Sequence, residues 1–363
     1  MYFGLDMSLD NIKNPLDIIV SETPDFSDQE AIDIVKSHYE IDVTVKKLVS
    51  ERDQNFVIKT QSLKKLVLKI ANCEEDPVVT DFQIKALSHI ENKGDNTIVT
   101  PRVLSSISGK NTIQIQKNEK TFNARIVSYL DGEPLWTSPN SVPNNDLAMD
   151  MGKYLARLGR ALKDFNHAGS NQSLLWDMKQ ALFLRDIISH IPDEKSKEMV
   201  IEVLNVYETT ALPTFDSLRW QVIHNDMNPD NVLIDTKGNR NVCGIIDFGD
   251  MVYSPLIIDL AVAAAYLEVE DGNPLNLINH FVAGYNYENA LDPHEINILF
   301  DLIKVRVATT IAIAAWRKSF RDPDDPYLVF NSDDGSRKFL ERLIELPREH
   351  AIQSFRQICA SNV

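Results

Sequence analysis

Little in this 363-residue sequence points to export, to a membrane or to nucleic acid. Only three cysteines are present, Cys73, Cys243 and Cys359, and an odd number without Cys-x-x-Cys spacing supplies neither a disulfide framework nor a zinc site. That usage suits a reducing cytoplasm. The opening stretch lacks a basic segment followed by an apolar core, since Met1 to Asp10 already carries Asp6 and Asp10, so a signal peptide is not expected. Apolar runs are also too short to span a bilayer, which excludes a transmembrane class. Positive charge is scarce: Lys and Arg number 37 against 53 Asp and Glu, leaving a net charge of −16 that repels polyanions. Nucleic acid is not an expected partner.

What is present is an ordinary globular composition, 44% hydrophobic and 25% charged, on a chain long enough for more than one packed unit. Ser27-Asp-Gln-Glu30 has the spacing of a capping box and opens a helix to about Tyr39. Val43 to Val49, Phe56 to Thr60 and Leu66 to Ala71 are rich in Val, Ile and Leu between polar loops, which predicts three consecutive strands. Asp81 to Glu91 places Phe82, Ala86, Leu87 and Ile90 on one helical face, and Thr112 to Ile115 and Asn123 to Ser128 alternate like two further strands. Asp131-Gly-Glu-Pro134 then breaks the pattern, so the boundary between two lobes is placed there, 1–130 and 131–363. Helical stripes dominate afterwards: Tyr154 to Phe165, 178 to 191, 197 to 208, and a long helix from Asp292-Pro-His-Glu295 to about Ser319. Between them lie short apolar strands, Gln221 to Ile223, Val232 to Ile234 and Val242 to Ile246, each running into polar residues.

Those polar residues carry the chemistry. His224-Asn-Asp226-Met-Asn-Pro-Asp-Asn231 fits the His-x-Asp-x4-Asn loop of protein kinases. In such a loop the Asp accepts or orients the proton of an attacking hydroxyl, and the Asn returns across a tight turn to ligate magnesium without neutralising it. Further on, Gly244-Ile-Ile-Asp247-Phe-Gly-Asp250 ends an apolar strand on an acid, suited to a magnesium held against β- and γ-phosphates. No Ala-Pro-Glu segment follows Asp247, which disfavours a kinase acting on protein hydroxyls.

With these motifs the chain resembles the aminoglycoside phosphotransferase family, and within it the hydroxylysine kinase group and the kinase modules fused to some aminotransferases. The matching segments run from Ser50 to Phe56 (SERDQNF), Val67 to Asn72, Ser128 to Trp136 (SYLDGEPLW), Phe165 to Gly169, Leu175 to Met178, Val222 to Leu233 and Gly244 to Tyr266. The resemblance implies an α+β, two-lobed protein-kinase-like fold, with an antiparallel five-stranded N-lobe carrying one main helix and a mainly helical C-lobe. It implies a kinase that transfers the γ-phosphate of ATP or GTP, with Mg2+, to a hydroxyl of a small molecule such as an amino alcohol or hydroxy amino acid. By the same route Asp226 is the catalytic base, Asn231 and Asp247 are metal ligands, and Lys69 grips the α- and β-phosphates. Ending the strand Leu66-Val-Leu, a lysine is well placed to project into a cleft.

The phosphate-gripping parts depart from protein kinases. Ser50-Glu-Arg-Asp-Gln-Asn55 contains no glycine, so phosphate contact falls to Ser50, Asn55 or backbone amides, with Glu51 and Asp53 expected to point outward. Gln83 stands where an acid usually holds the lysine; either it orients Lys69 by hydrogen bonding or Asp81 substitutes. Asn228 replaces the loop lysine, removing one positive charge near the transferring phosphate. The purine is expected at Ser128 and Leu130. His224 and Asp259 are assigned to bracing the loop, and Asp250 to a turn cap or a contact behind the metal. Arg306 interrupts an apolar stripe and is a candidate for a substrate carboxylate, although a helix-end or ion-paired arginine is the better fit. Glu268, Glu270, Asp271 and the Asp322 to Asp325 cluster are candidates for an ammonium group. The rival reading is a catalytically weak, pseudokinase-like nucleotide-binding module.

Overall fold

The computed structural model describes residues 23–50, 52–137, 143–235, 241–269, 272–320 and 334–361. The expectations placed on Met1 to Asp10, Glu51, Glu270, Asp271 and Asp322 to Asp325 lie outside the described residues.

Helix α1 (Asp28–Tyr39) starts at the expected capping box: the Glu30 N–H donates to the Ser27 hydroxyl, and the Ser27 N–H donates to the Glu30 carboxylate at 2.7 Å. Strands β1 (Val43–Leu48), β2 (Gln54–Thr60) and β3 (Lys65–Ile70) follow, then helix α2 (Pro77–Lys93) and strands β4 (Val103–Leu104), β5 (Ile113–Lys117) and β6 (Lys120–Ser128). They form one antiparallel sheet of order β1-β2-β3-β6-β4, with β5 also paired to β6. The five expected strands are all there, and two-residue β4 is added at an edge. Period-two alternation sorts the side chains of β3. Leu66, Leu68 and Ile70 enter a small core with Phe56, Ile58 and the Ala31, Ile34 and Val35 face of α1, which leaves Val67 and Lys69 on the opposite face.

Helix α2 begins earlier than its stripe suggested, because Asp76 caps it by accepting from the Val78 N–H at 2.9 Å and Pro77 fills the first turn. Its apolar face, Phe82, Ala86, Leu87 and Ile90, belongs to the larger core of the helical part. That helix is therefore the hydrophobic link between the sheet and the rest of the molecule.

The second part contains β7 (Glu133–Pro134), α3 (Asn145–Leu162), α4 (Glu194–Val206), β8 (Trp220–Ile223), β9 (Val232–Ile234), β10 (Val242–Ile245), β11 (Val252–Pro255), α5 (Leu256–Ala264), α6 (Asn276–Glu288), α7 (Pro293–Lys318), α8 (Asp334–Glu345) and α9 (Arg348–Ser361). Strand β8 pairs with β11, and β9 pairs with β10 and β7. Helices α3 and α6 pack backbone to backbone: a Cβ at Gly152 would lie 2.0 Å from the Phe281 carbonyl oxygen, and one at Gly284 would lie 1.9 Å from that of Met149. No larger residue fits either crossing.

The 178–191 stripe forms short 3-10 turns, Met178–Asp186 and Ile188–His190, where a regular helix was expected. The Tyr207 hydroxyl donates to the Met178 carbonyl at 2.7 Å, taking that acceptor from an α-helical ladder. Helix α5 is buried at every position. Burying Ile257, Ile258 and Leu260 is worth about 1.5–3 kcal/mol each, which offsets placing Asp259 in the interior.

Candidate active site

The loop after β8 is built around Asp259 of α5. Its two carboxylate oxygens accept from the His224 N–H at 3.3 Å and the Asn225 N–H at 2.7 Å. Asn225 adopts φ 63°, a left-handed conformation that Asn tolerates better than most residues, and this turns the chain sharply before Asp226. The Asp226 N–H donates to His224 Nδ1 at 3.3 Å, which assigns the ring proton to Nε2. Burial pulls the His224 pKa down to about 4, against the Asp247 carboxylate and the Ile246 carbonyl, so the ring is neutral at pH 7. Burial likewise raises Asp259 to about 6, against the two N–H donors.

The Asp226 carboxylate is clamped from both sides. Asn228 Nδ2 donates to one oxygen at 3.0 Å and Asn231 Nδ2 to the other at 2.7 Å; Asn231 Nδ2 also reaches the Asp226 carbonyl at 2.9 Å. Asn228 Oδ1 in turn accepts from the Asp230 and Asn231 N–H groups. Desolvation, then the Asp250 and Asp247 carboxylates, push the Asp226 carboxyl well above the usual carboxylate range, with Arg306 opposing.

Asp247 follows the end of β10. The Ile246 N–H donates to the Asn231 carbonyl at 2.9 Å and Ile245 is paired with Val232, so Asn231 and Asp247 sit at adjoining ends of the β9–β10 ribbon. Asp247 also has positive φ, 60°. Lys69 Nζ lies 3.3 Å from its carboxylate, and the Gly249 N–H donates to the same oxygen at 3.2 Å. Lys69 is the main reason the Asp247 carboxyl is held down at about 2, against desolvation. An ionised Asp beside an Asn whose amide nitrogen is turned toward Asp226 offers hard oxygen donors, a set that fits Mg2+ with phosphate oxygens and waters as its remaining ligands. Among the described residues no three His, Cys, Asp or Glu converge on a metal cage.

Across the cleft the structure corrects several expectations. Neither Gln83 nor Asp81 holds Lys69: Gln83 Oε1 accepts from Arg125 Nη2, and Asp81 pairs with His167 at 3.1 Å. The reason is register, for Asn55, Lys69 and Arg125 stand opposite one another on β2, β3 and β6, and the guanidinium takes the α2 side chain. Asp53 is half-buried, not outward, and accepts from the Asn72 N–H at 3.3 Å. Ser50 accepts from Asn55 Nδ2 at 3.1 Å, tying the two ends of the loop together. The Ser128 N–H donates to the Arg102 carbonyl at 2.8 Å and the Ser128 hydroxyl accepts from the Arg102 N–H at 2.9 Å. Leu130 lies against Gly244, where a Cβ would come within 3.0 Å of its Cδ1.

Arg306 takes the ion-paired alternative. Only 1% exposed, it donates to the Trp176 carbonyl at 3.2 Å and the Tyr266 hydroxyl at 3.1 Å, stacks on the Trp176 ring at 4.6 Å, and brings Nη2 within 3.5 Å of Asp226. Its charge faces Asp226. Sequence reasoning missed two further cations, Arg125 and Arg52. The latter, which lies between Glu51 and Asp53 in the sequence, reaches from the β1–β2 loop to Asp250 at 2.6 Å.

A two-lobed fold with an Asp-Asn loop and an Asp-bearing loop facing a sheet lysine defines the class of kinase-like phosphotransferases. A model of the phosphotransferase enzyme family (APH) matches residues 44–295, and the chain belongs to that family. Similar curated proteins include hydroxylysine kinase of Mus musculus, 25% identical over 357 residues covering 90% of this chain and 91% of that protein. The Danio rerio hydroxylysine kinase is 24% identical, with 92% and 98% covered. Among solved structures, an amicoumacin kinase in complex with AMP-PNP, Ca2+ and Ami superposes with a TM-score of 0.63 at 17% identity, covering 92% of this chain and 97% of that one. A microcompartment-associated aminopropanol kinase gives 0.59 at 14%, covering 92% and 98%. The chain is thus a small-molecule kinase, a phosphotransferase acting on hydroxyl groups. No described helix is long and apolar enough to cross a membrane.

Proposed function

We propose that the protein transfers the γ-phosphate of magnesium ATP or magnesium GTP to the hydroxyl of an amino alcohol or hydroxy amino acid, hydroxylysine being the first compound to try. The observation that carries this is the clamped Asp226, held by Asn228 and Asn231 and flanked by Asp247. In this reading Asp226 takes the proton of the acceptor hydroxyl as its oxygen forms the new bond to the γ-phosphorus. The bond from that phosphorus to the β–γ bridging oxygen breaks, and the nucleoside diphosphate departs. Asn231 and Asp247 would hold the magnesium, which when bound supplies charge neutralisation at the phosphates. Lys69, now on Asp247, would turn to the phosphates. Arg306 places a positive charge beside Asp226 where the loop lysine is replaced by Asn228. The acceptor class follows the hydroxylysine kinases and the aminopropanol kinase to which the chain is similar.

The test is a turnover screen of hydroxylated amines and amino acids with each nucleotide, alongside calorimetry of nucleotide binding. Turnover on an amino alcohol or hydroxy amino acid is expected; binding without turnover on any acceptor favours the weak nucleotide-binding module, which the lack of an α2 acid on Lys69 recommends. Asp247→Ala should remove the magnesium-dependent part of nucleotide affinity. Equal binding by wild type and variant would contradict the metal assignment.

A further inference from the structure

Arg52 has no part in the chemistry just described, yet it occupies the place where phosphate is to be gripped. It sits in the glycine-free turn between β1 and β2 and crosses the cleft to the loop that carries Asp247. Its Nη2 is 2.6 Å from Asp250, and a Cβ placed on Gly249 would lie 3.8 Å from that nitrogen and 3.2 Å from Asp247. The guanidinium therefore lies over the metal loop and next to the Lys69–Asp247 pair. Two cations of the sheet side, Lys69 and Arg52, meet two acids of the opposite side, Asp247 and Asp250. A magnesium triphosphate brings a partner for each set, a cation for the acids and oxyanions for the cations. An arginine fork suits phosphate oxygens, and this turn has no glycines to let backbone amides approach them.

We propose that Arg52 is a positioning residue that switches partners: it holds Asp250 when the cleft is free of nucleotide and turns to the terminal phosphates when the magnesium complex enters. The proposal rests on the phosphotransferase reading of Asp226, Asn231 and Asp247, and the experiment separates the two. Magnesium ATP, magnesium GTP, the metal-free triphosphates and the bare nucleosides are titrated into the full chain by calorimetry. The proteins compared are wild type, Arg52→Gln, Arg52→Lys and Asp250→Asn, each checked for folding by thermal unfolding. A wild type that binds no nucleotide overturns the kinase reading itself. If wild type binds, Arg52→Gln is expected to weaken triphosphate affinity about tenfold or more while leaving nucleoside affinity unchanged, and Arg52→Lys to recover part of the loss. Asp250→Asn, which releases Arg52, is expected to bind metal-free triphosphate more tightly than wild type. Wild-type triphosphate affinity in Arg52→Gln overturns the proposal. So does an equal loss in Arg52→Gln and Asp250→Asn, the signature of a tether between the two sides. Should Arg52→Gln fail to fold, the Arg52→Lys and Asp250→Asn titrations decide on the same criteria.

Discussion

The two sides of the cleft are organised in opposite ways. On the helical side, Asp226 is fixed by its own loop: Asn228 and Asn231 hold its oxygens, Asp259 holds the preceding amides, and Arg306 supplies a buried cation. On the sheet side, Lys69 and Arg52 are fixed by acids of the other side. The first arrangement is complete within the protein and needs no ligand to set it, as a preorganised catalytic group requires. The second consists of cross-cleft ion pairs, which in the proposed reading a nucleotide exchanges for its own charges. One half is built to stay, the other to be rearranged.

The strongest way to break this contrast is to remove the buried cation from the fixed half. Arg306→Met should cost about 3 kcal/mol of stability, because Asp226 loses its ion pair and the Trp176 carbonyl and Tyr266 hydroxyl lose a charged donor. It should also raise the pH at which Asp226 deprotonates, so the acid limb of kcat/KM moves upward. Denaturant unfolding and a pH–rate profile check both, and an unmoved acid limb would remove Arg306 from the account.

A second test uses proton linkage at His224, whose folded pKa lies near 4, below its ordinary value of about 6.5. The unfolded chain therefore binds the proton first, and the stability this residue contributes is present above pH 6.5 and lost as pH falls toward 4. Asp259, raised to about 6, acts in the opposite sense over much of the same range. His224→Gln should accordingly shift the stability difference between pH 7 and pH 5 by about 2 kcal/mol in favour of acid, relative to wild type. Parallel pH curves for the two proteins would show that the buried ring does not titrate as described.

The smallest effect is expected on the exchangeable half. Gln83→Glu restores the acid typical of kinases, but the structure directs that position to Arg125, not Lys69. A kcat within about twofold of wild type is expected, as for a substitution that leaves the transition-state contacts intact. A large gain would mean that Lys69 had been waiting for that carboxylate.

The contrast also explains what could be read from the sequence. Asp226 and Asn231 fall within six residues of one loop, so their spacing announced them, and the alternation of Leu66, Leu68 and Ile70 announced the strand that carries Lys69; Asn228 was legible as a lost lysine but not as a clamp on Asp226. The sheet, the capping boxes at Ser27 and Asp292 and the long α7 were legible because local chemistry decides them. The roles of Arg52 and Arg306 were not: their partners Asp250 and Asp226 lie far away in the chain, and a charged side chain carries no local mark of what it will meet. Gln83 was misassigned for the same reason, since the residue that claims it, Arg125, is brought there only by the β3–β6 register. The 3-10 turns after Met178 depended on a hydroxyl from Tyr207.

The most direct measurement is single-turnover phosphate transfer by Asp226→Asn, which keeps the side chain's size and one of the two clamp hydrogen bonds and removes the base. Using an acceptor found in the turnover screen, the variant should bind magnesium nucleotide as wild type does while transfer slows by about 10²- to 10⁴-fold. Transfer at the wild-type rate would contradict the assignment of Asp226, and with it the claim that the fixed side of the cleft is the catalytic one.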